Sequence, residues 1–415
     1  MHRILVVEDS PIVRKIINHV MAGFPQFKPV YTTTLAETKA LLESEAESIF
    51  AALVDLSLPD APDGEVVDYV LNNHIPTIVL TGSFDTERRE QLLAKGIVDY
   101  VTKEGRYSYQ YALGVLARLV KNQKIKVMVV DDSATARNFV VGLLRLHLFE
   151  VYDADDGAEA IRVFIDNPDI KMIITDFNMP RMDGFELVQH MRRKYDKSDL
   201  IMIGLSSETD GTLSAKFIKN GANDFLRKPF NHEEFFCRVS HNMDFMEMFE
   251  ALKDSANRDD HTGAYKLSHF NVQGDDMFER ALTNGTPLAC AVIDLDDLSE
   301  IINEYGPEAG DVVMEQVSSF LVSSFERFLL ARAGTELFYA LMPGLDNGKA
   351  TAFVERVRQI VGGKFIDLGG AEVSLSFSAG VSNVMGNNLS ELVEHAHQSL
   401  LRARDAGGDL VIGDD

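Results

Sequence analysis

Two sets of acidic, hydroxyl and lysine side chains recur in this sequence in the same order and with nearly the same spacing. Three carboxylates close together repel one another unless a cation lies among them, and Mg²⁺ prefers such oxygen ligands. An ammonium and a hydroxyl beside them suit a phosphoryl group carried on the central aspartate. Each set contains an acidic pair, a single aspartate, a Thr or Ser and a lysine, each at the end of a short apolar run. The sets are Glu8, Asp9, Asp55, Thr81 and Lys103, and Asp131, Asp132, Asp176, Ser206 and Lys228.

The segments that carry these residues form an internal repeat. RILVVEDSPIVRKII at residue 3 returns as KVMVVDDSATARNFV at residue 126, and VDYVTKEG at residue 98 returns as NDFLRKPF at residue 223. Each copy alternates β-branched runs with segments of helical period, which is typical of a parallel sheet covered by helices. Because ligand sites of such sheets gather at the carboxyl ends of the strands, we expect each set to converge there. The pattern predicts two α/β domains with doubly wound parallel sheets.

Both copies resemble response-regulator receiver domains, which have a flavodoxin-like fold, over nearly their whole length. The resemblance implies that Asp55 and Asp176 accept a phosphoryl group from a histidine kinase or a phosphotransfer protein, with Mg²⁺ held by the neighbouring carboxylates. It also implies that phosphorylation draws Thr81 or Ser206 inward and buries an aromatic ring. The candidates for that ring are Tyr100 and Phe225. The second copy has the usual Lys-Pro at its lysine, so we favour Asp176 as the better match.

A long helix is predicted after the second copy. Apolar residues recur at spacings of three and four through residues 232–255, and the segment contains neither Pro nor Gly. We expect the last helix of the second domain to continue as a connector. The predicted domains are receiver one at 1–122, receiver two at 125–245, a helical connector at 246–257 and a third domain at 258–415.

The third domain resembles a GGDEF (diguanylate cyclase) domain, which has an α+β, nucleotidyl-cyclase-like fold. RDDHTGAYKLSHF at residue 258 and CAVIDLDDLSEIINEYGPEAGDVVM at residue 290 match the opening and central motifs of the family in part. RAGTELF at residue 332, which lies between two apolar runs, takes the place of RxGGDEF in a predicted hairpin. On this alignment Asp294 and Glu336 correspond to metal ligands, and Asn303 with Asp311 to the pair that recognises guanine.

Several positions depart from the family pattern. Thr335 replaces a glycine that brings the backbone close to the nucleotide, and Leu337 replaces an acidic residue and cannot ligate a metal. Arg404 and Gly408 take the places of the Lys and Arg that bind phosphate in the family. Electrostatic stabilisation is the main source of catalysis for such transfers, so we expect the site to be degenerate and inactive. The motif for product inhibition, RxxD, is replaced by Phe325 and Phe328.

Composition restricts the classes of partner. The 415 residues carry a formal net charge of −24, which disfavours nucleic acid and anionic membrane. Two widely separated cysteines exclude a disulfide framework and fit a reducing compartment. No apolar run has the length of a membrane span, so we expect a cytoplasmic protein.

Three functional hypotheses follow. The first, which we favour, is a two-component response regulator that signals through receiver-controlled assembly, as a homodimer or with a GGDEF or other signalling protein. The second is a phosphorylation-activated diguanylate cyclase that makes cyclic di-GMP from GTP, for which Asp294, Glu336, Asn303 and Asp311 are retained. The third is a phosphate sink or relay. Binding of GTP with Mg²⁺ without turnover is a further alternative for the third domain.

Overall fold

The computed structural model describes residues 1–82, 85–207, 212–368 and 371–414, with only the backbone described for Thr212 and Leu213. The chain divides into two compact units, Met1–Phe249 and Glu250–Asp415. Two parallel five-stranded sheets form the first unit, and a six-stranded mixed sheet with a small hairpin lies in the second. The predicted fold class is therefore confirmed. The domain boundaries predicted inside each unit stay predictions.

The first sheet has the strand order β2-β1-β3-β4-β5, and its strands are parallel. All five side chains of its fourth strand are buried, as expected for a sheet with helices on both faces. Its strands are β1 His2–Val7, β2 Phe27–Thr32, β3 Ile49–Asp55, β4 Thr77–Thr81 and β5 Asp99–Thr102. Its helices are α1 Pro11–Met21, α2 Leu35–Glu45, α3 Glu65–Asn72, α4 Thr86–Ala94 and α5 Arg106–Asn122, with a 3₁₀ turn at Ala46–Ser48.

The second sheet repeats this topology with the order β7-β6-β8-β9-β10. The last helix of this domain runs without a break from His232 to Asn257, which confirms the predicted long helix. The strands are β6 Lys126–Val130, β7 Glu150–Ala154, β8 Ile170–Asp176, β9 Ile201–Ser206 and β10 Asp224–Arg227. The helices are α6 Ala134–Leu146, α7 Gly157–Asp166, α8 Gly184–Arg192, α9 Thr212–Lys219 and α10 His232–Asn257.

The two α/β domains of the first unit pack against each other through helices that carry opposite charges. Arg118 of α5 forms ion pairs with Asp244 and Glu247 of α10, and Lys121 Nζ lies 2.7 Å from Glu247 Oε2. Near the start of α10, Arg89 Nε of α4 donates to a carboxylate oxygen of the glutamate at position 233, at 2.7 Å. Basic residues of the first domain thus face acidic residues of the second.

The second unit is built on a mixed sheet with the order β11-β13-β14-β12-β17-β18. Its central strand, β12, is buried along all eight residues, with apolar clusters on both faces of the sheet. The strands are β11 Tyr265–Lys266, β12 Leu288–Leu295, β13 Leu329–Arg332, β14 Leu337–Pro343, β15 Ile366–Asp367, β16 Glu372–Val373, β17 Phe377–Ser382 and β18 Val411–Ile412. The helices are α11 Leu267–Asn284, α12 Leu298–Tyr305, α13 Pro307–Ser324, α14 Asn347–Gly362 and α15 Leu389–Asp405.

Candidate functional site

The first set of predicted residues converges at the carboxyl edge of the first sheet. Lys103 Nζ lies 2.7 Å from Glu8 Oε2 and 2.7 Å from Asp55 Oδ2, so one ammonium bridges two carboxylates. Glu8 and Asp55 are buried, whereas Asp9 is exposed. One carboxylate oxygen from each of these three acids lies within 4.8 Å of the others. This spacing of oxygen ligands fits a divalent cation such as Mg²⁺.

Burial and ion pairing set the proton affinities in this cluster. Burial raises the pKa of Glu8, and the hydrogen bond from Lys103 only partly offsets that effect. For Lys103 burial works in the opposite direction, but hydrogen bonds to Asp55 and Glu8 outweigh it and the pKa is raised. The lysine therefore stays cationic beside Asp55, where it can neutralise a phosphoryl group.

The second set converges in the same way. Lys228 Nζ lies 2.6 Å from Asp131 Oδ2 and 2.5 Å from Asp176 Oδ1, and Asp132 is exposed beside them. Burial raises the pKa of Asp176, and hydrogen bonds to the two carboxylates raise the pKa of Lys228 despite its burial. Both predicted sets are thus brought together as expected.

The two acidic clusters differ in how tightly they gather. Among the residues that the structure describes, Glu8, Asp9 and Asp55 each place one carboxylate oxygen within 4.8 Å of the other two. The oxygens of Asp131, Asp132 and Asp176 do not all lie this close together. Glu8 has one methylene more than Asp131, which lengthens its reach. The predicted metal set is therefore more compact in the first domain, although the second matches the receiver motif better.

Helix caps hold the acidic pairs at the ends of their strands. The Ser10 side chain caps α1, and its backbone N–H donates to Glu8 Oε1 at 3.1 Å. Ser133 repeats both contacts in the second domain, with its N–H donating to Asp131 Oδ1 at 2.9 Å. The serine after each acidic pair therefore fixes the carboxylate as well as the helix.

A glycine beside the central aspartate was not identified from the sequence as a site residue. A Cβ atom built on Gly184 would lie 2.1 Å from the backbone oxygen of Asp176 and 3.1 Å from Thr175 Oγ1. Only a residue without a side chain allows this approach. The Asp-Gly that recurs after the central aspartate in both copies of the repeat was the available signal.

The predicted switch residues lie in or beside the cores. Thr81 and Ser206 are buried at the ends of β4 and β9. Tyr100 is also buried, and Phe225 is half-buried with its ring centroid 5.5 Å from that of Phe217. Both aromatic candidates thus already face inward in this structure, so their predicted movement remains a prediction.

In the third domain the predicted hairpin joins β13 to β14. The N–H groups of Ala333 and Gly334 donate to the Leu337 backbone oxygen at 2.7 and 3.1 Å, and Arg332 donates to the backbone oxygens of Gly334 and Thr335. Thr335 does not have a positive φ. The turn thus accommodates a β-branched residue without dihedral strain, because Thr335 does not adopt the left-handed conformation.

The carboxylate of Asp294 is already paired with a cation. Asp294 is buried at the end of β12, directly across the ladder from Leu337, and its Oδ2 contacts the Arg404 guanidinium. Glu336 accepts a hydrogen bond of 2.8 Å from Ser299 Oγ. The two acids predicted to be metal ligands therefore both have partners from the chain itself.

The other predicted residues of this domain are spread around the sheet edge. Asp311 and Asn303 are exposed, and Asp311 lines a polar cleft of about 440 Å³ together with Asp260, His261 and Arg332. Asn303 is not among the residues that line this cleft. Gly408 has a φ of +75°, a conformation that L side chains rarely adopt, which accounts for the glycine at this degenerate position.

The aromatic residues that replace the RxxD motif belong to the core. Phe325 is buried, and the rings of Phe325 and Phe328 lie 5.1 and 5.3 Å from that of Phe353. The three rings meet edge to face, an arrangement that stabilises aromatic packing. A pair of charged side chains at these positions would be buried among aromatic rings.

Comparisons with known proteins agree with this arrangement. The model of the response regulator receiver domain matches residues 127–240, and that of the diguanylate cyclase, GGDEF domain, matches residues 256–409. A chemotaxis protein CheY homolog of Campylobacter jejuni is 38% identical over 109 residues, which cover 82% of that protein and 26% of this chain. The chain belongs to the two-component response regulators that carry a GGDEF domain. As a response regulator, it takes a histidine kinase or a phosphotransfer protein as its partner class.

Two further relatives extend over more of the response regulator. Response regulator PleD of Caulobacter vibrioides is 23% identical over 455 residues, covering 99% of each chain. A crystal structure of a two-component system response regulator/GGDEF domain protein is 40% identical and covers 60% of this chain and all of its own, with a TM-score of 0.55. Within the described residues, no helix combines the length and apolarity needed to cross a bilayer.

Proposed function

We propose that this cytoplasmic response regulator accepts phosphoryl groups on Asp176 and Asp55. The observation that carries the proposal is the lysine at each acceptor, with Nζ 2.5 Å from Asp176 Oδ1 and 2.7 Å from Asp55 Oδ2. In each transfer a phosphohistidine P–N bond breaks as a carboxylate oxygen forms the P–O bond. The lysine then neutralises the added charge.

Mg²⁺ held by the acidic residues would screen the phosphoryl oxygens during the transfer. Glu8, Asp9 and Asp55 would hold it in the first receiver, and Asp131, Asp132 and Asp176 in the second. The helix caps keep Glu8 and Asp131 in place for this role. The first receiver's closer carboxylate spacing supports tighter cation binding there, before any phosphoryl group is present.

We further propose that the GGDEF domain is not a cyclase. Arg404 supplies the positive charge that a metal would bring to Asp294, and the residue across the ladder is the apolar Leu337. Electrostatic stabilisation of the attacking oxygen would require carboxylates and cations at this edge. The domain would then act by contact with proteins, as a homodimer or with another GGDEF or signalling protein.

The test is incubation of the full chain with Mg²⁺ and labelled GTP, with and without acetyl phosphate as phosphodonor. We expect phospholabel on the protein from labelled acetyl phosphate, a phosphodonor-dependent change of assembly, and no cyclic di-GMP. Asp176→Asn and Asp55→Asn separate the two acceptors, and label that persists in the double variant would overturn the proposed sites. Cyclic di-GMP as product would overturn the non-catalytic role and leave phosphorylation untouched.

A truncated chain separates assembly from a phosphate sink. A chain ending at Asp254 keeps both receivers and lacks the GGDEF domain. If it drained phosphate from the donor as fast as the full chain, with no change of assembly in either, the sink would be the better description. Assembly that depends on phosphorylation and on the GGDEF domain supports our proposal.

A further inference from the structure

A cavity of about 420 Å³ lies between the two receivers, within the first compact unit. The first receiver contributes residues of β5 and α5 to its wall, and the second contributes the end of α6 and the first turns of α10. Its volume is in the range of small-molecule sites, which favour domain interfaces. The proposed phosphorylation chemistry does not use it.

Two imidazole nitrogens at this cavity lack hydrogen-bond partners among the described residues. His147 is 6% exposed, and its Nε2 atom and that of His232 are both buried and unsatisfied. Burial lowers the pKa of His147 to about 3, so its ring is neutral, with one nitrogen that donates and one that accepts a hydrogen bond. A buried polar atom left without a hydrogen-bond partner destabilises the folded chain by the cost of its desolvation.

A carboxylate adds an acceptor to the same wall. Asp99 is 8% exposed, and its oxygens accept one hydrogen bond each, from the Tyr100 N–H at 2.7 Å and the Tyr111 hydroxyl at 2.8 Å. Each oxygen of a carboxylate has capacity for a second bond. Burial raises the pKa of Asp99 to about 6 despite these bonds, because water is largely excluded.

The cationic side chains that line the cavity already form ion pairs with acidic side chains. Arg118 is paired with Asp244 and Glu247, and Lys121 with Glu247. Asp99 still has acceptor capacity and these cations are paired elsewhere, so a ligand that fits the carboxylate must bring hydrogen-bond donors. An anion would place its charge near Asp99 with no free cation to compensate for it among the described wall residues.

A helical glycine leaves part of the cavity open. Gly114 lies in the middle of α5, and a Cβ atom built there would meet no other atom within 4 Å. Glycine at such a position destabilises a helix relative to alanine, so the space is kept at the expense of helix stability. Val98, Val115 and Phe236 provide an apolar surface beside it.

We propose that the cavity between the receivers binds a small arylalkylamine, that is, an aromatic ring that carries a protonated amine on a short alkyl group. Its N–H groups would face the two imidazole nitrogens and Asp99, and its ring would lie against the apolar surface. Since the ligand would contact both receivers, binding would stabilise their docked arrangement by mass action. This inference goes beyond the proposed function and does not depend on it.

The experiment uses the full chain and benzylamine as probe, with benzoate as a control of similar size and opposite charge. We expect saturable binding of benzylamine by ligand-observed NMR, at least about ten-fold tighter than benzoate. Gly114→Leu fills the cavity and should weaken binding by about ten-fold or more. Gly142→Leu is the matched control, because Gly142 is an exposed helical glycine that also has open space around it.

Two variants keep the test decisive if Gly114→Leu alters folding, which circular dichroism would show. Asp99→Asn removes the negative charge, and His232→Phe removes the buried ring nitrogen while keeping an aromatic ring. Each should weaken benzylamine binding about three-fold or more. Absence of saturable binding, equal binding of benzoate, or full affinity in the variants would overturn the proposal.

Discussion

Arg404 at the end of α15 contacts the buried carboxylate of Asp294 on β12, more than a hundred positions earlier in the chain. The arginine side chain is about half exposed, whereas that of Asp294 is 7% exposed. Removing the carboxylate's partner therefore leaves a largely desolvated charge. The pair also occupies the acidic position at which a GGDEF domain would hold a metal.

Arg404→Ala should loosen the central sheet of the GGDEF domain. Breaking a buried pair from one side leaves an uncompensated charge, and with the arginine half exposed we expect a loss of about 1–3 kcal/mol. Amide hydrogen exchange in β12 should accelerate accordingly, with Arg404→Lys, which keeps the charge, affected less. Unchanged exchange in the alanine variant would show that the pair contributes no stability.

Leu337→Glu should create a response to divalent cations. The new carboxylate would lie across the ladder from Asp294 and next to Glu336, so the acids would repel one another without a cation. We expect a lower Tm than wild type in EDTA and a rise of several degrees with Mg²⁺, on the order of 1 kcal/mol. Leu337→Gln has the same size without the charge, and an equal Mg²⁺ response there would contradict the explanation.

Gly184→Ala should damage the second receiver. The added methyl group would meet the Asp176 backbone oxygen at 2.1 Å, so β8 or α8 must shift, at a cost of about 1–3 kcal/mol. Phospholabel uptake at Asp176, measured in an Asp55→Asn background, should fall with it. Gly142→Ala, at an exposed helical glycine, should stabilise the chain by about 0.5–1 kcal/mol. Normal labelling and stability in Gly184→Ala would be evidence against the close approach of Gly184 to the Asp176 backbone oxygen.

Asp99 should make the receiver pair less stable as pH rises. Its pKa is about 6 in the folded protein against an ordinary value of 3.8, so its stabilising contribution is complete below about pH 4 and is lost as pH rises through 6. The groups around it are Tyr111, Arg89 and Glu233. From pH 4 to 7, the Tm of Asp99→Asn should therefore rise relative to the Tm of the wild type. A constant difference would mean that Asp99 does not titrate in this range.

The convergence of the receiver residues could be predicted from the sequence because it follows from topology. Once β1, β3 and β5 run parallel in one sheet, Glu8, Asp55 and Lys103 must end at one edge, wherever the loops run. The lysine bridge between two carboxylates then follows from burial and charge. The repeated sequence pattern of the two receivers was therefore sufficient to predict this convergence.

Other features depend on packing between distant segments and left no local signal. The pairing of Arg404 with Asp294 requires α15 to lie beside β12, and the space at Gly114 exists only because two receivers meet there. The backbone at Thr335 does not use the left-handed conformation, so the turn accepts a β-branched residue where the family pattern has glycine. Such details follow from tertiary structure rather than from spacing.

The charged contact between α5 and α10 has a consequence for a protein built by duplication of one domain. Two identical copies of a domain have the same surface, so each could pair with a second molecule of itself. Here Arg118 and Lys121 belong to one copy, and Asp244 and Glu247 to the other. Two first receivers would bring arginine against arginine, and two second receivers would bring acid against acid. The charges on these two helices are thus complementary, which favours contact between the two unlike copies over contact between like copies through the same helices.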